Sequence, residues 1–166
     1  MTTSRPADSG RFHAAALGIG EIGIGRDQGQ LRTFVGSCVG LALYDRRLRI
    51  AGLAHIMLPA SQGAGTPAGK YADTAIAEML RLLTALAGGE TPRLSAKMAG
   101  GARMFAIQAG IPIGDQNVRA IEQALRPLGI PVLARECGGS RGRRLSFDIA
   151  TTELTIESLG LPPTTV

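Results

Sequence analysis

Cys38 and His55 are the pair in this chain best suited to covalent chemistry, a thiol that becomes a nucleophile when deprotonated and an imidazole able to take its proton. They flank two apolar runs, Val39-Gly40-Leu41-Ala42-Leu43-Tyr44 and Leu48 through Leu58, which meet at the polar corner Asp45-Arg46-Arg47. Such runs joined by a short polar corner read as a β-hairpin. A turn centred on Arg46-Arg47 pairs Asp45 with Leu48 and, counting outward, Cys38 with His55. Directly opposed side chains of this kind have Cβ atoms about 4.5–5.5 Å apart. Arg-Arg suits a two-residue turn poorly, because such turns favour residues at home with positive φ. A four-residue loop with the same centre preserves the pairing, whereas a one-residue bulge turns the two side chains to opposite faces.

A thiol and imidazole held together perform acyl transfer. The imidazole takes the thiol proton, stabilises the thiolate as an ion pair and later protonates the leaving group, help worth roughly 10²–10⁴ in rate. The second ring nitrogen then needs an orienting partner. Backbone amides of the Gly36-Ser37-Cys38 turn are the natural oxyanion donors, since glycine lets a carbonyl oxygen approach the main chain. The same residues also have a plainer reading. A cysteine heading an apolar strand packs as a small hydrophobe, and a single histidine sits satisfied in many cores. Spacing alone leaves both open. Two cysteines and one usable histidine lack the paired spacings of a zinc site, so no metal is expected, and the thiol route needs no organic cofactor.

The elements that must position these groups follow from the rest of the chain. Its 166 residues suit one domain whose core is built from Ala, Leu, Ile and Val, since there are only four Phe, two Tyr and no Trp. Residues 1–14 are expected to be a mobile tail, 15–158 the folded domain and 159–166 a C-terminal tail. Ala15 to Gly25 reads as a glycine-rich strand or two. Its Gly18-Ile19-Gly20-Glu21-Ile22-Gly23 matches a dinucleotide pattern but opens no helix, so it reads as strand and turn. A polar loop from Pro59 to Gly69 leads to a helix with Tyr71, Ala75, Met79, Leu82 and Leu86 on one stripe, ended by Gly88-Gly89. A strand near Leu94–Met98 and a sharp turn at Gly100-Gly101 follow. A second helix is expected from an Asp115 N-cap to about Gly129, with strands at Pro131–Arg135, Leu145–Ile149 and Leu154–Ile156. The pattern predicts an α/β fold with mixed sheets and two packed helices.

Formal charge is +5 and the isoelectric point about 10, which suits an acidic partner. Nucleic acid is not supported, because the arginines are scattered and aromatics do not interleave with them. No apolar run reaches 18 residues, so no membrane insertion is expected, and the N-terminus lacks the apolar core of a secretory signal. Cys38 and Cys137 are therefore expected as reduced thiols in the cytoplasm, with Cys137 structural or incidental.

Whole segments narrow the choice. TFVGSCVGLALYD (33–45), GLAHIMLP (52–59), GKYADTAI (69–76), KMAGGARMF (97–105), IGDQNV (113–118) and ECGGSRGRRLSFD (136–148) together resemble the CheD family of chemoreceptor glutamine deamidases. The resemblance runs in order from about Leu17 to Ile156. It implies a catalytic set of Thr33, Cys38 and His55, with Thr33 orienting the imidazole. It also implies a protein-glutamine deamidase that converts selected glutamines of methyl-accepting chemoreceptors to glutamate. The implied fold is an α/β/β sandwich similar to the catalytic domain of cytotoxic necrotizing factor, and the implied partner is the phosphatase CheC. Gly100-Gly101, Lys70-Tyr71 and Asn117 match the family segments too, and read as turn formation and packing. The rival class is a non-enzymatic adaptor binding receptors or CheC, which would have no need to keep Thr33, Cys38 and His55 together.

Overall fold

The computed structural model describes residues 16–63, 66–104 and 110–166. Nine strands and two α-helices occur among them: β1 (Ile22–Arg26), β2 (Gln30–Val35), β3 (Val39–Asp45), β4 (Ile50–Ile56), α1 (Ala72–Leu86), β5 (Ser95–Gly100), α2 (Ile113–Leu125), β6 (Val132–Cys137), β7 (Arg143–Asp148), β8 (Leu154–Ser158) and β9 (Thr164–Thr165). One sheet has the order β1-β4-β3-β5-β6 and is antiparallel except for the β5–β6 pair; the other runs β2-β7-β8-β9 and is antiparallel throughout. The α/β expectation of two helices with mixed sheets holds. Residues 1–14, expected as a tail, lie outside the described residues. The segment 159–166, expected as a tail, turns at Gly160 and returns as β9 on β8.

Two apolar layers explain the sequence pattern of the central strands. β3 and β4 are buried at every residue, because α1 and α2 cover one face of their sheet while the second sheet covers the other. Strands covered on both sides read as continuous apolar runs rather than alternating ones. Leu41, Leu43, Ile50, Ala54 and Ile56 meet Ala75, Met79, Val118 and Ile121 on the helix side. Ala42, Tyr44, Ala51 and Leu53 meet Leu145, Phe147, Leu154 and Ile156 between the sheets. The outer strands β7 and β8 alternate instead, since only one of their faces is covered.

The hairpin forms as expected but in a different register. Asp45 pairs with Ile50, not Leu48, and His55 lies opposite Gly40, not Cys38. The loop is four residues, Arg46 to Arg49, and Arg49 adopts a left-handed φ of 56° that closes it. Asp45 fixes this arrangement by accepting the Leu48 N–H at 3.0 Å and the Arg93 N–H at 2.7 Å. The loop centre therefore moves one residue from Arg46-Arg47, and each cross-strand partner moves by two. A shift of two keeps every side chain on its face.

Both helices end and begin for local reasons. α1 stops before Gly88 and Gly89, whose φ of 65° and 103° suit residues without a Cβ. α2 starts three residues earlier than expected, with Pro112 rather than Asp115 at the N-cap position. Asp115 lies in the first turn, where its charge complements the helix dipole, and pairs with Arg103 at 2.9 Å.

Candidate active site

His55 is positioned by backbone on one side and by a hydroxyl on the other. Its N–H donates to the Glu21 carbonyl at 3.1 Å and its own carbonyl receives the Gly20 N–H at 3.0 Å, which ties this end of β4 to the turn before β1. The ring projects between the sheets, where Thr33 of β2 stands with Oγ1 2.8 Å from His55 Nδ1. Thr33 is fully buried and His55 is 5% exposed. The Thr33 hydroxyl also donates to the Leu17 carbonyl at 2.7 Å. A carbonyl can only accept, and a hydroxyl has one proton. Thr33 Oγ1 therefore accepts from Nδ1–H, and the network assigns the tautomer with Nε2 unprotonated. Nε2 is buried with no hydrogen-bond partner among the described residues.

Cys38 shares this layer. It packs against the inter-sheet cluster, on the same side of the hairpin as Gly40 and His55. Val39–Ile56 is the last pair of the ladder, so Cys38 lies just beyond it and His55 is its diagonal rather than its direct neighbour. Diagonal residues stand about 7–8 Å apart at Cα, with Cβ atoms somewhat closer. The thiol is half-buried, and Gly36, two residues before it, lines a groove of about 540 Å³ together with Phe34, Val35, Met104 and Arg144.

The turn carrying Cys38 is held by its carbonyls. Gly36 O accepts from Ala102 N–H at 2.9 Å, Ser37 O from Asn117 Nδ2 at 3.2 Å, and Cys38 O from Gly101 N–H at 2.8 Å. The Gly100-Gly101 turn thus does more than reverse the chain. A Cβ on Gly100, at φ 123°, would strike the Cys38 carbonyl oxygen. The Ser37 and Cys38 amides, by contrast, donate to no other residue among those described.

Electrostatics favour a neutral pair. Burial pushes the Cys38 thiol up, partly offset by its own backbone N–H. Burial likewise holds His55 below its usual range, partly offset by the Leu17 carbonyl and the Glu21 carboxylate. Both shifts favour the uncharged forms, thiol and imidazole, over a thiolate–imidazolium pair. Cys137 is pushed up to about 11 by burial, which leaves it a poor nucleophile at neutral pH. Among the described residues no group of acidic, histidine and cysteine side chains is arranged to hold a metal, and no helix is long and apolar enough to cross a membrane.

The family model described as CheD chemotactic sensory transduction matches residues 57–158, beginning just past His55. A chemoreceptor glutamine deamidase CheD of Bacillus licheniformis is 41% identical over 157 residues, covering 90% of this chain and 93% of the relative. The chain belongs to the CheD family. Other members include a chemoreceptor glutamine deamidase CheD of Thermotoga maritima, 39% identical over 145 residues with 87% and 91% coverage. A probable chemoreceptor glutamine deamidase CheD of Methanococcus vannielii is 41% identical over 140 residues, with 83% and 90% coverage.

Asn117 is the residue at this site that sequence reasoning passed over as packing. It is fully buried on α2, and its Nδ2 reaches Met57 O at 2.9 Å as well as Ser37 O. Its place in IGDQNV held a signal of sorts, a polar amide among the apolar positions Val118 and Ile121 of a core-facing helix.

Proposed function

We propose that this chain is a cysteine-dependent protein-glutamine deamidase acting on methyl-accepting chemoreceptors. Cys38 Sγ attacks the glutamine Cδ while its proton passes to His55 Nε2. Imidazolium then gives that proton to the amide nitrogen, the C–N bond breaks and ammonia leaves a γ-glutamyl thioester. His55 next takes a proton from water, hydroxide attacks the thioester carbon, and the C–S bond breaks to give glutamate. The thiolate regains the proton. No cofactor takes part. The amides of Ser37 and Cys38 stabilise the oxyanion in both halves, and Thr33 holds the ring so that Nε2 receives the proton.

The observation that carries this reading is the Thr33–His55 contact at 2.8 Å, which leaves an unprotonated Nε2 on the face that bears Cys38. The names of the relatives supply the substrate class. Conversion of glutamine to glutamate adds one negative charge, enough to bias a two-state receptor. With the reading go a cytoplasmic location, CheC as a binding partner, a single domain over residues 15–158, and a likeness of the α/β/β layering to the catalytic domain of cytotoxic necrotizing factor.

The test is intact mass. A chemoreceptor cytoplasmic fragment incubated with the protein gains about 1 Da per converted glutamine as amide becomes carboxylate through the thioester route. Cys38→Ala abolishes the gain. No gain with wild-type protein, or an undiminished gain with Cys38→Ala, overturns the proposal and favours the adaptor.

A further inference from the structure

Two buried polar side-chain atoms lack a partner among the described residues, His55 Nε2 and Asn117 Oδ1. The first is the base of the proposed mechanism, and the second belongs to a residue with no assigned role. Asn117 reaches the site from behind. Its neighbours Val118 and Ile121 belong to the helix-side core, whereas Cys38 packs in the layer between the sheets. From there its Nδ2 bridges two carbonyls, Ser37 O at 3.2 Å and Met57 O at 2.9 Å. These flank the place where the β3–β4 ladder ends at Val39–Ile56. Beyond that pair the strands part, and the Met57 and Leu58 amides turn to the Lys70 carbonyl instead. Asn117 closes the open end, joining the arm that carries Cys38 to the arm that carries His55.

Peptide geometry gives this bridge a consequence. In a planar trans peptide the C=O and N–H point in opposite directions. Holding Ser37 C=O toward α2 therefore aims the Cys38 N–H away from α2. The same amide lies against its own sulfur, where it favours the thiolate. Donation from the Asn117 amide to Ser37 O also polarises that peptide and strengthens its N–H as a donor.

We propose that Asn117 is a positioning residue for the deamidation reaction, orienting and polarising the Cys38 amide as an oxyanion donor. The proposal rests on the deamidase reading. It separates Asn117 from a packing residue by what each would change. Attack on an amide develops an oxyanion, whereas displacement of iodide from iodoacetamide by the same thiol develops none.

The experiment compares wild type, Asn117→Asp and Asn117→Ser in a Cys137→Ser background, so that alkylation reports Cys38 alone. Measurements are kcat and KM for deamidation of the receptor fragment, the iodoacetamide rate, and thermal unfolding. Asn117→Asp preserves shape but replaces the donor with a carboxylate facing two carbonyls; Asn117→Ser removes the bridge by shortening. Both are expected to lower kcat by roughly 10²–10³, the usual loss for a disturbed oxyanion donor, with KM and the alkylation rate within about threefold of wild type. Acidification that protonates the new carboxylate restores part of the Asn117→Asp activity relative to Asn117→Ser. A folded Asn117→Ser with near-wild-type kcat overturns the assignment, as does a kcat loss matched by an equal loss of alkylation. Failure of both variants to fold overturns it as well, by making Asn117 a core residue. Wild-type protein that leaves the fragment mass unchanged overturns the deamidase reading itself, and the assignment with it.

Discussion

Thr33 and His55 come from different sheets, and the 2.8 Å contact between Oγ1 and Nδ1 joins the sheets at the candidate site. Because the hydroxyl proton goes to Leu17 O, the contact fixes the ring's tautomer as well as its orientation. A carboxylate in this place would stabilise imidazolium by its charge. A threonine does not, and burial lowers the His55 pKa further. In the proposed mechanism these features favour a neutral imidazole until the thiol delivers a proton.

Removing the hydroxyl tests this directly. Thr33→Val keeps the shape but leaves Nδ1–H and the Leu17 carbonyl without their partner. It should lower kcat by about 10- to 100-fold by releasing the ring to the other tautomer. Thr33→Ser, which keeps the oxygen, should stay much closer to wild type. Nitrogen NMR of the imidazole should report Nδ1–H in wild type and a mixture in Thr33→Val. A single Nδ1–H tautomer in both proteins would contradict the assignment.

The pKa directions predict the pH profile. The proposed mechanism starts from a protonated thiol and a neutral imidazole. Activity should fall on the acid side only as pH drops through the His55 pKa, which lies below the ordinary 6.5. On the alkaline side it should fall only as the thiol ionises, above its ordinary 9.0. A broad plateau in kcat/KM between those limits is the expected result. Iodoacetamide alkylation in a Cys137→Ser background should rise steeply toward pH 9 and beyond. Fast alkylation already independent of pH between 5 and 8 would instead reveal a standing ion pair. The depressed His55 pKa also couples to folding, since the unfolded chain binds the proton first. Its contribution to stability is present above pH 6.5 and lost as pH falls through the folded value.

Which parts of this site were legible in the sequence depends on the range over which each is determined. Hairpin strands and their faces are set by local apolar patterning, so Cys38 and His55 were placed on one face correctly. The register was not legible, because it depends on Arg49 entering left-handed space and on Asp45 reaching Arg93 across the fold. β2 gave no clear strand signal, and Thr33 came only through the resemblance. The strand is short, its outward face is exposed, and its partner β7 lies more than a hundred residues away. Asn117 was least legible of all. Its partners are main-chain carbonyls, which leave no trace in side-chain spacing.

Asp45 should be the stability centre of the hairpin loop. Burial opposes its charge, but N–H groups of Arg93, Leu48 and Arg47 outweigh this and hold the carboxyl below its usual range. Asp45→Ala should cost about 1–3 kcal/mol, since amides lose a charged acceptor. A protein of this size would melt roughly 2–4 °C lower per kcal/mol. Stability from this group is present above the ordinary carboxylate pKa of 3.8 and lost as pH falls through the lower folded value. Thermal scans of both proteins at pH 7 and at pH 3 should show the gap narrowing in acid. An equal gap at both would assign the loss to packing rather than charge.

Gly40 carries the most specific prediction, because the observed register sets it opposite His55. A Cβ there would run into the Leu145 side chain and come within 3.4 Å of the Thr33 methyl group. Both belong to the second sheet, so the absence of a side chain at Gly40 lets that sheet approach closely enough for Thr33 to reach His55. Gly40→Ala should destabilise the fold by about 1–3 kcal/mol through overpacking. It should also lower kcat by a larger factor than its effect on KM, by moving Oγ1 off Nδ1. Leu145→Ala in the same chain opens room for the new methyl group and should recover a substantial part of the lost kcat, although Leu145→Ala alone is destabilising. Strictly additive losses in the double variant would mean that Gly40 and Leu145 do not share the gap, and that Thr33 is held at His55 by other contacts.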